Sequence, residues 1–152
     1  MTGRETSVTN RSKLKSVARI SALVGAGLVA VIAALALATG YIHLTLGGLL
    51  FTLNALGYAG LAALYILGAW APLPIVQRFS WFPRVALAGY AMLTIVGWAI
   101  QGPYYSTAFI AKGIEVTIIA LVAVDVVRVW GSPMAMIRAA LASVFGRRQV
   151  GL

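Results

Sequence analysis

The chain of 152 residues contains no cysteine, which removes disulfides, zinc–thiolate sites, iron–sulfur clusters and thiol chemistry. It has a single histidine, so a bis-histidine haem could form only across a dimer. A metal held by His43 and Glu115 would lack further strong ligands. Charge is scarce as well: 10% of the residues are charged, against about a quarter in a soluble domain. Nucleophilic catalysis needs a base beside an activated hydroxyl or thiol. The serines here gather in the N-terminal segment and at helix ends, with no second histidine to serve them. No enzyme activity and no cofactor are expected. There is no internal repeat, and no two glycines stand four apart, so the strict GxxxG dimer motif is missing.

What the chain has is apolar length. Hydrophobic residues make up 61% of it, and its mean hydropathy is +0.95. A hydrocarbon core of about 30 Å needs roughly 20 apolar residues per helix. Four runs meet that measure, at about 19–41, 48–70, 84–102 and 109–129. They predict an all-α fold, an antiparallel four-helix transmembrane bundle forming one domain over 17–131. Residues 1–16 read as a flexible basic cytoplasmic tail. In 132–152, Ser132-Pro133 is a favourable helix start. Met134, Ile137, Leu141, Val144 and Phe145 then recur at helical spacing beside Arg138, Arg147 and Arg148. That predicts a C-terminal amphipathic helix on the inner membrane surface, with a partner-binding helix as the alternative.

The net charge of +9 is placed asymmetrically. Arg4, Arg11, Lys13, Lys15 and Arg19 precede the first run. Arg78 and Arg84 lie in the second connection, and Arg128, Arg138, Arg147 and Arg148 close the fourth run or follow it. With the N-terminus inside, only Lys112 falls on the outer side, as the positive-inside rule requires. The expected location is a prokaryotic cell membrane, with both termini cytoplasmic and the basic tails against anionic headgroups, not nucleic acid. The first run also has signal-peptide features, a basic lead and Ala36-Leu37-Ala38. It exceeds the usual 7–15 residues of a secretory apolar region, so it reads as an uncleaved helix.

Small residues recur every fourth position, as Ala22, Ala26, Ala30, Ala34 and Ala38 in the first span and Ala55, Ala59 and Ala63 in the second. Such ridges admit close helix packing.

Polar groups inside a bilayer are costly unless paired or hydrated, so the few present carry most information. His43, Asn54, Gln101, Tyr104, Lys112 and Glu115 fall in the outer third of the four spans, with Lys112 and Glu115 on one helix face. Two readings stay open. One is a water-accessible pocket with Glu115 as central acid and Lys112 as counter-charge. The other is a structural tie in which those two neutralise each other and Asn54 links helices. Asp125 and Arg128, three apart near the inner end of the fourth span, read as a local ion pair at the interface. A proton path between Glu115 and Asp125 is not favoured, since about 15 Å of helix would separate them with only Thr117 polar between.

The stretch His43-Leu-Thr-Leu-Gly-Gly-Leu-Leu-Phe-Thr-Leu-Asn54-Ala-Leu-Gly-Tyr58, with the later Lys112-Gly-Ile-Glu115, resembles uncharacterised small four-span membrane proteins of actinobacteria and related prokaryotes. The likeness covers about 41–129 and implies a four-span bundle in the cell membrane. The expected function is a non-enzymatic accessory or scaffold subunit, assembled as a homo-oligomer or within a larger membrane complex. The alternative is a small transporter or ligand-binding protein using the outer pocket. A haem- or quinone-linked redox subunit is a distant third.

Overall fold

The computed structural model describes residues 3–102 and 104–146, with side chains from residue 13 onward. Arg4, Arg11, Arg147 and Arg148, four of the basic tail residues, lie outside the described side chains.

The described chain is all-helical: α1 (Gly3–Leu46), α2 (Leu49–Trp70), α3 (Pro74–Arg78), α4 (Trp81–Gln101), α5 (Ser106–Trp130) and α6 (Pro133–Phe145). Three segments, Lys13–Leu46, Leu49–Trp70 and Trp81–Gln101, are long and apolar enough to cross a membrane. This is the composition and length of a membrane protein. The fourth long helix, α5, has 25 residues, about 37 Å at the helical rise, but Lys112, Glu115, Asp125 and Arg128 interrupt its apolar run.

The breaks between helices have local causes. Gly47 and Gly48 take positive φ of 72° and 85°, a region open mainly to glycine, and turn the chain within two residues. Pro72 and Pro74 end α2 and set apart the short α3, which the sequence did not foresee. Pro83 falls in the first turn of α4, where a missing N–H costs nothing. Gly131, in the left-handed region, closes α5 with its N–H on the Val127 carbonyl. Ser132 then caps α6, its hydroxyl accepting from Ala135 N at 3.1 Å.

Several sequence expectations shift. Residues 3–16, read as a flexible tail, belong to α1, since nothing between Arg4 and Val24 breaks a helix. Residues 13–24 are exposed throughout, so α1 overhangs the bundle before its packing begins at Gly25. At its other end α1 continues through His43 to Leu46, past the end at about 41 that the apolar run predicted.

The four long helices pack in a ring, with α1 against α2 and α5, and α4 against α2 and α5. Val29, Ile32, Ala36, Tyr58, Ala62, Tyr65, Leu87, Ile118 and Val122 fill the centre. The outer faces carry large apolar side chains, among them Leu23, Leu49, Leu93 and Ile110. A water-soluble monomer rarely exposes so much apolar surface.

The alanine ridges do not serve this packing. Ala30, Ala34, Ala59 and Ala63 are exposed and Ala26 half-buried; of the ridge positions only Ala55 is buried. The interior stripe runs instead through Gly25, Val29, Ile32, Ala33, Ala36 and Gly40 on α1, and Tyr58, Ala62, Tyr65 and Gly68 on α2. Four residues advance about 400° on a helix of 3.6 residues per turn, so a strict four-residue repeat winds off any one face. The mixed three-and-four spacing of the observed stripe stays on it.

The amphipathic helix α6 folds back against α4 and α5. Arg78 donates to the Ser143 carbonyl through Nη2 and through Nε at 3.0 Å, which caps the last turn of α6. Trp81 Nε1 donates to Ser143 Oγ at 2.9 Å. Met134, Ile137, Leu141, Val144 and Phe145 stay exposed on α6.

Candidate functional site

Two polar clusters sit in this apolar ring, one near each end of α5. At the first, Glu115 is wholly buried. Its Oε2 accepts from Lys112 Nζ at 2.6 Å, one turn back on the same helix. Its Oε1 accepts from Thr39 Oγ1 at 3.3 Å and lies 3.8 Å from His43 Nε2, both on α1. The histidine ring is held from its other nitrogen, Nδ1, at 2.8 Å from the Thr39 carbonyl. Thr39 and His43 are four apart, so α1 presents both to α5 from one face.

Asn54 does not join this carboxylate. Its Oδ1 accepts from the Tyr90 hydroxyl at 2.6 Å, tying α2 to α4. The Tyr90 ring meets Tyr58 edge-on at 4.9 Å, and Tyr58 in turn bonds Thr94 at 2.9 Å and lies 5.8 Å from the His43 ring. The cluster is therefore a band across all four long helices, with aromatic rings between its two polar ends.

Gly57 makes that band possible. A β-carbon there would strike the Tyr90 hydroxyl, whereas one at Gly60 would meet nothing within 4 Å. Gly57→Ala is expected to push Tyr90 off Asn54 and cost about 1–3 kcal/mol, as overpacking does. Gly60→Ala should instead gain up to about 1 kcal/mol from helix propensity. Thermal melting of the two variants in detergent checks the pair, and equal melting temperatures would refute the role given to Gly57.

A cavity of about 430 Å³ opens beside the band. His43, Lys112, Asn54, Tyr90 and Thr94 give it a polar side, and Leu50, Phe51, Leu93 and Trp98 an apolar one. Gln101 stands at its edge, exposed. Tyr104 is elsewhere: its hydroxyl donates to the Ala99 carbonyl at 3.0 Å and its ring packs edge-on to Trp98 at 5.3 Å. The neighbouring Tyr105 lines the cavity in its place. Glu115 lies behind His43 and Lys112 and does not reach the cavity wall.

At the second cluster Asp125 is also wholly buried. Arg128 donates to its Oδ1 through Nε at 3.0 Å and Nη2 at 2.7 Å. Its Oδ2 accepts from Arg84 Nε and from the Tyr65 hydroxyl, each at 2.8 Å. Arg84 gives Nη1 to the Ser80 carbonyl at 2.7 Å, and its guanidinium lies over the Trp130 ring at 4.9 Å and the Tyr65 ring at 5.4 Å. The local pair thus becomes an assembly of α2, α4 and α5.

Sequence reasoning missed Thr39, Tyr58, Tyr65, Tyr90 and Arg84. Tyr58 and Tyr65 are seven apart on an apolar helix, and buried tyrosines need hydroxyl partners, which was a usable signal. Arg84 counted only as an interfacial charge.

Among the described residues no group of three or more His, Asp or Glu could hold a metal ion. Comparison of the chain with known protein families, with curated proteins and with solved structures finds no match.

Proposed function

We propose that the chain crosses the prokaryotic cell membrane four times, both termini cytoplasmic, and holds a small amphipathic molecule in the cavity at its outer, Glu115 end. The observation that carries this reading is the cavity itself. Its 430 Å³ is within the size range of small-molecule sites, which are mostly apolar with a few convergent polar groups. The ligand would lay an apolar body against Phe51, Leu93 and Trp98. Its hydrogen-bonding head would meet Lys112, His43 and Asn54. Lys112 and Glu115 neutralise each other, so the head need not be charged. Binding or passage of this molecule is non-catalytic.

The fourth crossing is α5. Its ionisable Lys112, Glu115 and Asp125 are buried and paired, while Phe109, Ile110, Val116, Val124 and Val127 face outward. A lipid-facing surface of that kind tolerates the charges within. The orientation follows the arginine and lysine distribution, which also sets α6 and the basic tails against anionic headgroups.

Gly97 offers a test, because it lines the cavity and a β-carbon there meets nothing within 4 Å. Protein purified in mild detergent is expected to carry a compound that organic extraction and mass spectrometry detect. Gly97→Leu should lose that compound and keep its melting temperature. Identical extracts from parent and variant would sink the reading.

The second reading is an accessory or scaffold subunit, as a homo-oligomer or in a larger complex. One observation favours it: among the described residues no side-chain nitrogen or oxygen shut off from solvent lacks a partner, so the polar band is complete as a tie. Native mass spectrometry of Glu115→Gln and Asn54→Ala separates the two. The scaffold reading expects lost subunits or partners; the ligand reading expects the same assembly with altered binding.

A further inference from the structure

We infer that the cleft at the Asp125 end of the bundle is a binding site for one phosphate group, of the kind carried by a phospholipid headgroup or by a free phosphate ester. The cleft encloses about 290 Å³ and is walled by Ala22, Gly25 and Ala26 of α1, Gly68 of α2, Arg84 of α4 and Arg128 of α5.

Charge is the first argument. Two guanidiniums face one carboxylate there, so two positive charges less one negative leave a formal +1. No described side chain answers that excess locally: the other acid among them, Glu115, is ten residues back along α5, about 15 Å at the helical rise. A cation held in an apolar surrounding calls for an anion.

Geometry is the second. Asp125 engages Nε of Arg84 and both Nε and Nη2 of Arg128, and Ser80 takes Nη1 of Arg84. Nη2 of Arg84 and Nη1 of Arg128 make no hydrogen bond to a described residue, and both side chains line the cleft. Asp125 fixes the two forks, leaving N–H edges for a phosphate, the ligand that guanidinium geometry suits.

Space is the third. A β-carbon on Gly25 would lie 2.5 Å from Nη1 of Arg128, so glycine keeps that nitrogen at the cleft wall. The Arg128 side chain is 33% exposed while that of Arg84 is 4% exposed. Arg128 would make first contact with the anion, and Arg84 would add charge from beneath. This site is independent of the outer cavity. Only its lipid source rests on the bundle lying in a membrane.

The test is native mass spectrometry of the full chain in detergent with phosphatidylglycerol, phosphatidylcholine or glycerol 3-phosphate. One phosphatidylglycerol per chain is expected to be retained, at least about tenfold more tightly than phosphatidylcholine, because each carries one phosphate but the choline ammonium cancels that charge and is repelled by the two guanidiniums. Ala26→Leu, which fills the cleft and leaves every partner of Asp125 in the sequence, should abolish that preference at an unchanged melting temperature. Arg128→Gln should reduce it by about tenfold. Glycerol 3-phosphate binding as tightly as the lipid would assign a soluble source and support the phosphate site. Equal retention of the two lipids with no binding of glycerol 3-phosphate, or parental binding in both variants, would overturn it.

Discussion

Asp125→Ala is expected to lower stability by about 3–5 kcal/mol, or the melting temperature by about 10 °C. One carboxylate collects four hydrogen bonds from three side chains on three helices. Its removal leaves Arg84 buried without a counter-charge, and Tyr65 with a buried hydroxyl. An uncompensated buried charge, more than the lost attraction, sets the cost. The order of effects follows from burial. Arg84→Met leaves Asp125 with Arg128 and Tyr65 and should cost less. Arg128→Gln removes a partly hydrated group and should cost least, because an exposed partner contributes little. Melting curves of the three variants, followed by tryptophan fluorescence, test the ranking. If Arg128→Gln costs as much as Asp125→Ala, the pair within α5 carries the stability and the link to α4 is incidental.

Lys112→Met is expected to cost a similar 3–5 kcal/mol or so, because it leaves Glu115, which has no exposed surface, facing only His43 and Thr39. Glu115→Gln should be milder, about 1–3 kcal/mol. The amide keeps the shape and a contact to Thr39, while the stranded Lys112 ammonium borders the cavity and can be hydrated there. The informative variant is the double one. With Lys112→Met and Glu115→Gln combined no buried charge remains, and stability should return to the parent's or exceed it, as replaced buried ion pairs often do. A double-mutant cycle in detergent would show this as strong coupling. A double variant whose loss equals the sum of the two single losses would mean that the residues do not act as a pair.

The helical class of every long segment was legible from hydropathy and length, and the glycine and proline positions marked the breaks. The rotation of each helix about its own axis was not. In the packed part of α1, from residue 22 onward, and in α2 most side chains are apolar, so hydrophobicity barely distinguishes one face from another. The alanine periodicity therefore pointed to Ala30, Ala34, Ala59 and Ala63, which face outward. Bulk decided instead: Val29, Ile32, Tyr58 and Tyr65 interlock at the centre, and that fixed which small residues lie beside them.

The polar residues divide along the same line. Sequence alone determined that Lys112 and Glu115 share a face, and Asp125 and Arg128 likewise, because a three-residue separation on a helix brings side chains together whatever surrounds them. It also determined which polar residues lay near each end, because helical rise converts sequence separation into depth. Which helix answers each of them was settled only by the tertiary structure. Asn54 meets Tyr90 rather than Glu115, Arg84 reaches Asp125 across 41 residues of sequence, and Tyr104 lies outside the cavity that Tyr105 lines. Those pairings depend on the register and rotation of four helices at once, and that arrangement is set by how their side chains fill a shared interior.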